Sequence, residues 1–166
     1  MARLAGQPVV VPRRPLQRGV TLVESMAAVA VLGVVSVTAL PGFQGFVAKQ
    51  QVRAAAQDLA TDLLLARSEA LKRNARVTVA PLGADWSSGW RVQVGGQDLT
   101  RRDPLPATLF QAAPTTIAFN PLGRVDQPTG SVRITLQPLT SAAASTQRCV
   151  ELDTSGRVRA RAGACA

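Results

Sequence analysis

The chain has 166 residues and a formal net charge of +9, from 19 lysines and arginines against 10 aspartates and glutamates. This length suits one domain with an additional segment, and the basic excess favours an anionic partner such as nucleic acid, a membrane surface or an acidic polymer. Histidine, the commonest general base, is absent. The two cysteines without histidine make a poor zinc site. We therefore predict no enzyme activity, no metal and no cofactor.

The first element in chain order is a long apolar stretch that follows a basic cluster. Between Gly19 and Lys49 the only ionisable side chain is Glu24, and the stretch is long enough to cross a hydrocarbon core of ~30 Å as a helix. The preceding arginines place its start in the cytoplasm and the rest of the chain outside. A secretory signal peptide fits poorly because its apolar region is shorter. A plain membrane anchor stays open, but it leaves unexplained a buried carboxylate that costs at least ~2.5 kcal/mol.

The sequence RGVTLVES, residues 18–25, resembles the N-terminal signature of type IV pilins and pseudopilins. The resemblance implies that a prepilin peptidase removes residues 1–19 as a leader, cutting after Gly19, and methylates the new N-terminal Val20. Valine departs from the phenylalanine that is usual at that place in the family. Glu24 would be the fifth mature residue, where its carboxylate can pair with an N-terminal amine and set the register between subunits.

The second half of the predicted helix is amphipathic. Apolar residues recur there at alternating spacings of four and three, which is typical of a helix that packs against a core. We predict one helix over about residues 21–74, with residues 20–48 crossing the membrane or entering a filament core. Residues 49–166 then form the head. The predicted buried face comprises Val52, Ala56, Leu59, Leu63, Ala66 and Ala70.

After the helix, the sequence changes to short strands separated by turn-rich segments. A helix followed by a run of strands predicts an α+β head with a small antiparallel β-sheet. We expect Trp86 and Trp90 to pack in the core or a loop rather than bind a ligand, and residues 139–146 to form a mobile loop. The predicted strands are residues 76–80, 90–94, 116–120, 132–137 and 148–152.

Three further segments, ARSEALKRNARVTV, DWSSGWRV and IAFNPLGRV, together with the terminal cysteine pair, look like FimT/GspH-type minor pilins. That resemblance implies the type IV pilin fold, in which a long N-terminal membrane-spanning helix packs on the sheet. It implies a single-pass protein of the bacterial inner membrane with its head in the periplasm. The implied partners are other major and minor pilins, in a pilus or a type II secretion pseudopilus.

The chain ends in a predicted hairpin with a row of arginines. One strand ends near Leu152, residues 153–156 form the turn, and a second strand begins at Arg157. Alternate residues of a strand share a face at about 6.6–6.8 Å spacing, so Arg157, Arg159 and Arg161 form one cationic row. Cys149 and Cys165 bracket the hairpin, and a disulfide between them in an oxidising compartment would hold the row on a rigid support.

Two functions remain open for this row. Charged residues commonly keep an edge strand soluble, which suits a structural minor pilin or pseudopilin that initiates or caps a filament. However, GRVR, residues 156–159, resembles the G-R-x-R motif of FimT-type minor pilins that bind DNA in natural transformation. The resemblance assigns DNA contact to Gly156, Arg157 and Arg159, and the spacing adds Arg161. We predict binding to backbone phosphates without sequence preference. Four further arginines could extend the surface: Arg101, Arg102, Arg124 and Arg148.

Overall fold

The computed structural model describes residues 19–139 and 146–165, with the backbone alone at residues 37–44. Helix α1 spans Leu22–Arg73, and a short 3-10 helix spans Trp86–Ser88. The chain divides into two compact units between Leu40 and Pro41. The strands are β1 Val77–Pro81, β2 Trp90–Val94, β3 Gln97–Arg101, β4 Thr108–Gln111, β5 Ile117–Phe119, β6 Val125–Gln127, β7 Val132–Pro138, β8 Arg148–Leu152 and β9 Val158–Ala162.

The first unit contains the start of α1. The hydroxyl of Thr21 accepts a hydrogen bond from the backbone N–H of Glu24 at 3.2 Å, which caps a free donor of the first turn. Large apolar side chains from Val20 to Val35 are exposed. Among the described residues, no helical segment combines the length and the apolar character that a membrane span requires. Of the proposed leader, residues 1–19, all but Gly19 lie outside the described residues.

In the second unit, one face of α1 packs into the core. All six residues of the predicted buried face are at most 2 % exposed, which confirms the helical spacing. Each buried leucine or valine contributes roughly 1.5–3 kcal/mol relative to an exposed one. This packing holds the second half of α1 against the sheets.

The strands form two antiparallel sheets where we predicted one. The five-stranded sheet has the order β3-β2-β1-β5-β6, and the four-stranded sheet has the order β4-β7-β8-β9. The prediction missed β3, β4 and β6, which all lie at sheet edges. An edge strand has one neighbour and buries fewer side chains, so it lacks the apolar alternation that marks a central strand.

A buried polar cluster ties α1 to the five-stranded sheet. The carboxylate of Asp62, 3 % exposed, accepts hydrogen bonds from Trp90 Nε1 at 2.9 Å and from Arg102 Nε at 2.8 Å. Trp86 is also buried and donates from Nε1 to the carbonyl of Pro114. Both tryptophans therefore pack in the core, as predicted. Arg102 belongs to this structural cluster and is not a free cation for a polyanion.

Candidate nucleic-acid interface

The turn between β8 and β9 is organised by Asp153. Its carboxylate accepts hydrogen bonds from the backbone N–H groups of Ser155 at 2.8 Å and Arg157 at 3.1 Å, and from the Ser155 hydroxyl. The Ser155 hydroxyl, followed by the Arg157 N–H, lowers the pKa of Asp153 below its usual value. The ionised carboxylate thus fixes the backbone from which the first arginine of the row projects.

Gly156 closes the turn in a conformation that other residues rarely adopt. Its φ is +81°, and an added Cβ would lie 2.3 Å from the carbonyl oxygen of Gly123 and 3.1 Å from Arg67 Cδ. Gly156 is itself buried. It therefore positions the row by letting the turn pack closely against the β5–β6 connection, and it offers no exposed surface to a ligand.

The arginines lie where the alternation predicted them. Val158 is half-buried and packs against the core, so Arg157 and Arg159 lie on the outer face, where both are exposed. Among the described residues, neither guanidinium has a hydrogen-bond or ion-pair partner within 4 Å. Strand β9 begins at Val158, one residue later than predicted, because the Arg157 N–H and C=O bond to Asp153 in the turn.

Arg161 differs from the other two members of the row because it is already paired. Its Nη2 lies 2.6 Å from Glu151 Oε1 on the neighbouring strand β8. Arg133 Nε on β7 approaches the same oxygen at 4.0 Å. The expectation of three free guanidinium groups is wrong for Arg161, because cross-strand pairing places an acid between them. The outer face carries Arg133, Arg157, Arg159 and Arg161 around Glu151 and remains net positive.

The hairpin is fixed at its far end by the predicted disulfide. Cys149 and Cys165 are bonded, and no described cysteine is free. The N–H of Cys165 also donates to the Thr135 hydroxyl at 3.1 Å, which anchors the segment after β9 to strand β7. Arg159 and Arg161 therefore lie on a strand that is held by β8 on one side and by a covalent link after its end, and Arg157 lies in the turn before it.

The other arginines named from sequence lie in three different places. Arg101 is exposed on β3, in the other sheet. Arg124 is exposed in the β5–β6 connection, next to the hairpin turn, since the N–H of Val125 donates to the carbonyl of Thr154. Arg148 is half-buried at the start of β8. Sequence reasoning missed Glu151 and Arg133, because only the register between strands brings them to the row.

At the other end of the chain, Gly19, Val20 and Glu24 are exposed, and Glu24 lies in the first turn of α1. A carboxylate there interacts favourably with the positive end of the helix dipole. Within residues 19–139 and 146–165, no group of three or more cysteine, aspartate or glutamate side chains could hold a metal ion.

Comparisons with known proteins agree with this architecture. The family model described as type II transport protein GspH matches residues 55–156, and the prokaryotic N-terminal methylation motif matches residues 14–40. The first match ends at Gly156, immediately before the arginines. No curated protein sequence matches the chain significantly.

Solved minor pilins share the fold. The type IV minor pilin FimU of Pseudomonas aeruginosa matches with a TM-score of 0.57 and 21 % identity, covering 66 % of this chain and 91 % of FimU. The minor pseudopilin EpsH of the Vibrio cholerae type II secretion system matches with a TM-score of 0.51 and 16 % identity, covering 68 % and 97 % of the two chains.

The N-terminal motif and the helix-on-sheet fold together define a minor pilin or pseudopilin, a class whose members assemble with other pilins in filaments. Since the family model covers more than half of its residues, the chain belongs to the GspH family of type II transport proteins.

Proposed function

We propose that this chain is a processed minor pilin whose head binds DNA through the phosphate backbone, for DNA uptake in natural transformation. The single observation that carries the DNA proposal is the pair Arg157 and Arg159, exposed and without partners among the described residues, in a hairpin closed by a disulfide. A free guanidinium can donate two hydrogen bonds to one phosphate group. Rigid support avoids the entropy cost of ordering a mobile tail upon binding.

The proposed mode of binding is electrostatic. The described outer face of strands β7–β9 with the hairpin turn carries four arginines around Glu151 but offers no aromatic side chain on which a base could stack. Phosphates carry no sequence information, so the contact does not select a sequence. Double-stranded DNA is then at least as good a ligand as a single strand, since stacking platforms are what favour single strands.

The experiment is a titration of the purified full chain, in detergent, against duplexes of unrelated sequence. We expect similar affinities for all duplexes and a large loss for Arg157→Gln with Arg159→Gln. Arg101→Gln is the matched control, since it removes an exposed arginine from the other sheet. DNA binding that is equally strong in the double variant would overturn the proposal.

The processing part of the proposal has its own test. The match of the methylation motif to residues 14–40 supports cleavage after Gly19. In this proposal Glu24 pairs with an amine at the new N-terminus. The start of α1 then anchors the chain in the inner membrane, with the head in the periplasm. We expect Gly19→Val to retain the leader, seen as the larger form on an immunoblot, and to stay out of filaments. Mature-size Gly19→Val protein would contradict this assignment.

A structural pseudopilin without DNA binding is the second candidate. The family model, described as a type II transport protein, favours this candidate. The Arg161–Glu151 pair also favours it, because charged side chains keep an edge strand soluble even when they are paired. In this case the titration shows only the weak binding of any basic protein, unchanged by the substitutions at Arg157 and Arg159.

A further inference from the structure

A small pocket lies where helix α1 meets strands β8 and β9, and of the arginine row only Arg161 is among its described lining residues. Its volume is about 220 Å³, several times the ~30 Å³ that one water occupies in the liquid. The described residues that line it include three arginines and no acid. They are Arg53, Ala56 and Gln57 of α1, Arg148 of β8, and Ala160 and Arg161 of β9.

The strand alternation explains how Arg148 reaches this pocket. Arg148 alternates with the buried residues Val150 and Leu152, so it lies on the side of β8 that faces α1. Ala160 is paired with Val150 across the hairpin and lies on the same side. Its small side chain leaves the space open between the helix and the strand.

Arg161 is paired with Glu151, but the other two arginines of the lining have no partner among the described residues. Arg148 is half-buried, and neither its guanidinium nor that of Arg53 has a hydrogen bond or ion pair within residues 19–139 and 146–165. A partly desolvated cation beside a second cation is unfavourable, and a bound anion removes both costs.

We infer that this pocket binds a phosphate group, and that it forms a second contact for the DNA that crosses Arg157 and Arg159. The inference rests on the proposed function for the source of the phosphate. Arg53 and Arg148 supply the planar donor pairs that suit phosphate oxygens, and the Gln57 amide is a further donor within the lining.

The position of the pocket explains why one polyanion can reach both sites. Strand β9 is the edge of the four-stranded sheet, so no described strand covers its outer side. Arg157 and Arg159 lie on one face of this edge, and the pocket lies against the other. A phosphodiester chain that crosses the edge therefore meets cations on both faces. Such an arrangement fits the curved backbone of DNA better than a flat row of cations does.

The test uses the full chain in detergent, with the variant Arg53→Gln/Arg148→Gln and the control Arg101→Gln. Two ligands separate the sources of phosphate. Duplex DNA is titrated at several salt concentrations, and inorganic pyrophosphate is tested by its effect on the melting temperature at ionic strength matched with chloride. Arg148→Lys keeps the charge and serves as a rescue if Arg148→Gln folds poorly.

We expect the double variant to reduce the magnitude of the slope of log K against log salt by about 0.9, because both arginines contact the same phosphate group. We also expect pyrophosphate to raise the melting temperature of the wild type but not of this variant. Arg148→Lys should retain most of the slope. The control should leave both readouts unchanged.

Failure of this inference is distinguishable from failure of the proposed function. If Arg157→Gln/Arg159→Gln weakens DNA binding, while Arg53→Gln/Arg148→Gln changes neither DNA binding nor the pyrophosphate effect, the pocket is not a phosphate site. If pyrophosphate stabilises the chain through Arg148 but no form binds DNA, the proposed function fails and the pocket is a site for a free phosphate group.

Discussion

Glu151 determines which arginines near the hairpin are ion-paired and which are not. Its carboxylate lies 2.6 Å from Arg161 Nη2 and 4.0 Å from Arg133 Nε, whereas Arg159, its direct register partner, has no ion pair with it. Exposed ion pairs contribute little to stability, about 0–1 kcal/mol. The more important effect of Glu151 is therefore to reduce the local positive charge beside the row.

We predict that Glu151→Gln strengthens DNA binding. The substitution frees Arg161 and Arg133 at nearly unchanged shape, so up to one further phosphate can be neutralised, and the slope of log K against log salt should steepen by about 0.9. Titration at several salt concentrations measures this slope. Weaker binding in a folded Glu151→Gln chain would show that the pair is needed to position Arg161.

Gly156 allows a second prediction at the same scale, with a matched control in the same hairpin. Gly156 and Gly163 have φ values of +81° and +90°, but only at Gly156 would a Cβ meet another atom. Gly163→Ala should cost about 1–2 kcal/mol from the left-handed backbone alone. Gly156→Ala should cost clearly more, because its Cβ would lie 2.3 Å from a carbonyl oxygen.

Denaturant unfolding of the two glycine variants measures the difference. Equal losses of stability would contradict the close packing of the turn against Gly123. The DNA affinity of folded Gly156→Ala should also fall, since the arginines that follow the turn would be displaced.

At the scale of elements, the disulfide closes the hairpin at the end away from its turn. The bond links Cys149 to Cys165, 16 residues apart, and such a loop is worth about 3 kcal/mol in the chain-entropy model. We predict that the variant Cys149→Ala/Cys165→Ala loses hydrogen-exchange protection in β9 while β1, a central strand of the other sheet, keeps its own. Unchanged protection in β9 would show that pairing with β8 alone holds the strand.

The elements also show what could be predicted from the sequence. The buried face of α1, the central strands β1, β2, β5, β7 and β8 and the hairpin were predictable, because regular apolar spacing and a turn sequence are local signals. The edge strands β3, β4 and β6 were not, since half-exposed strands carry little pattern. The candidate site was predictable as a row of arginines. Its neutralising acid was not, because register between strands is a property of the whole sheet.

At the scale of the whole molecule, the cations behind the net charge of +9 differ in whether they are paired with acids. Several described arginines form structural ion pairs within the head, such as Arg73 with Glu69, Arg76 with Asp126 and Arg102 with Asp62. The described hairpin instead presents Arg157 and Arg159 without a partner. Composition alone therefore cannot locate a polyanion site, because paired and unpaired cations count equally in the net charge.

The measurement that most directly tests the central claim is the salt dependence of duplex binding by the wild type and by Arg157→Gln/Arg159→Gln. If each arginine neutralises one phosphate, the magnitude of the slope of log K against log salt falls by about 0.9 for one loss and about 1.8 for both. Stability should change by no more than about 0.5 kcal/mol, since both side chains are exposed. Arg101→Gln should leave the slope unchanged. A double variant that is folded and keeps the wild-type affinity and slope would show that the arginines are only the solvated edge of a pilin sheet.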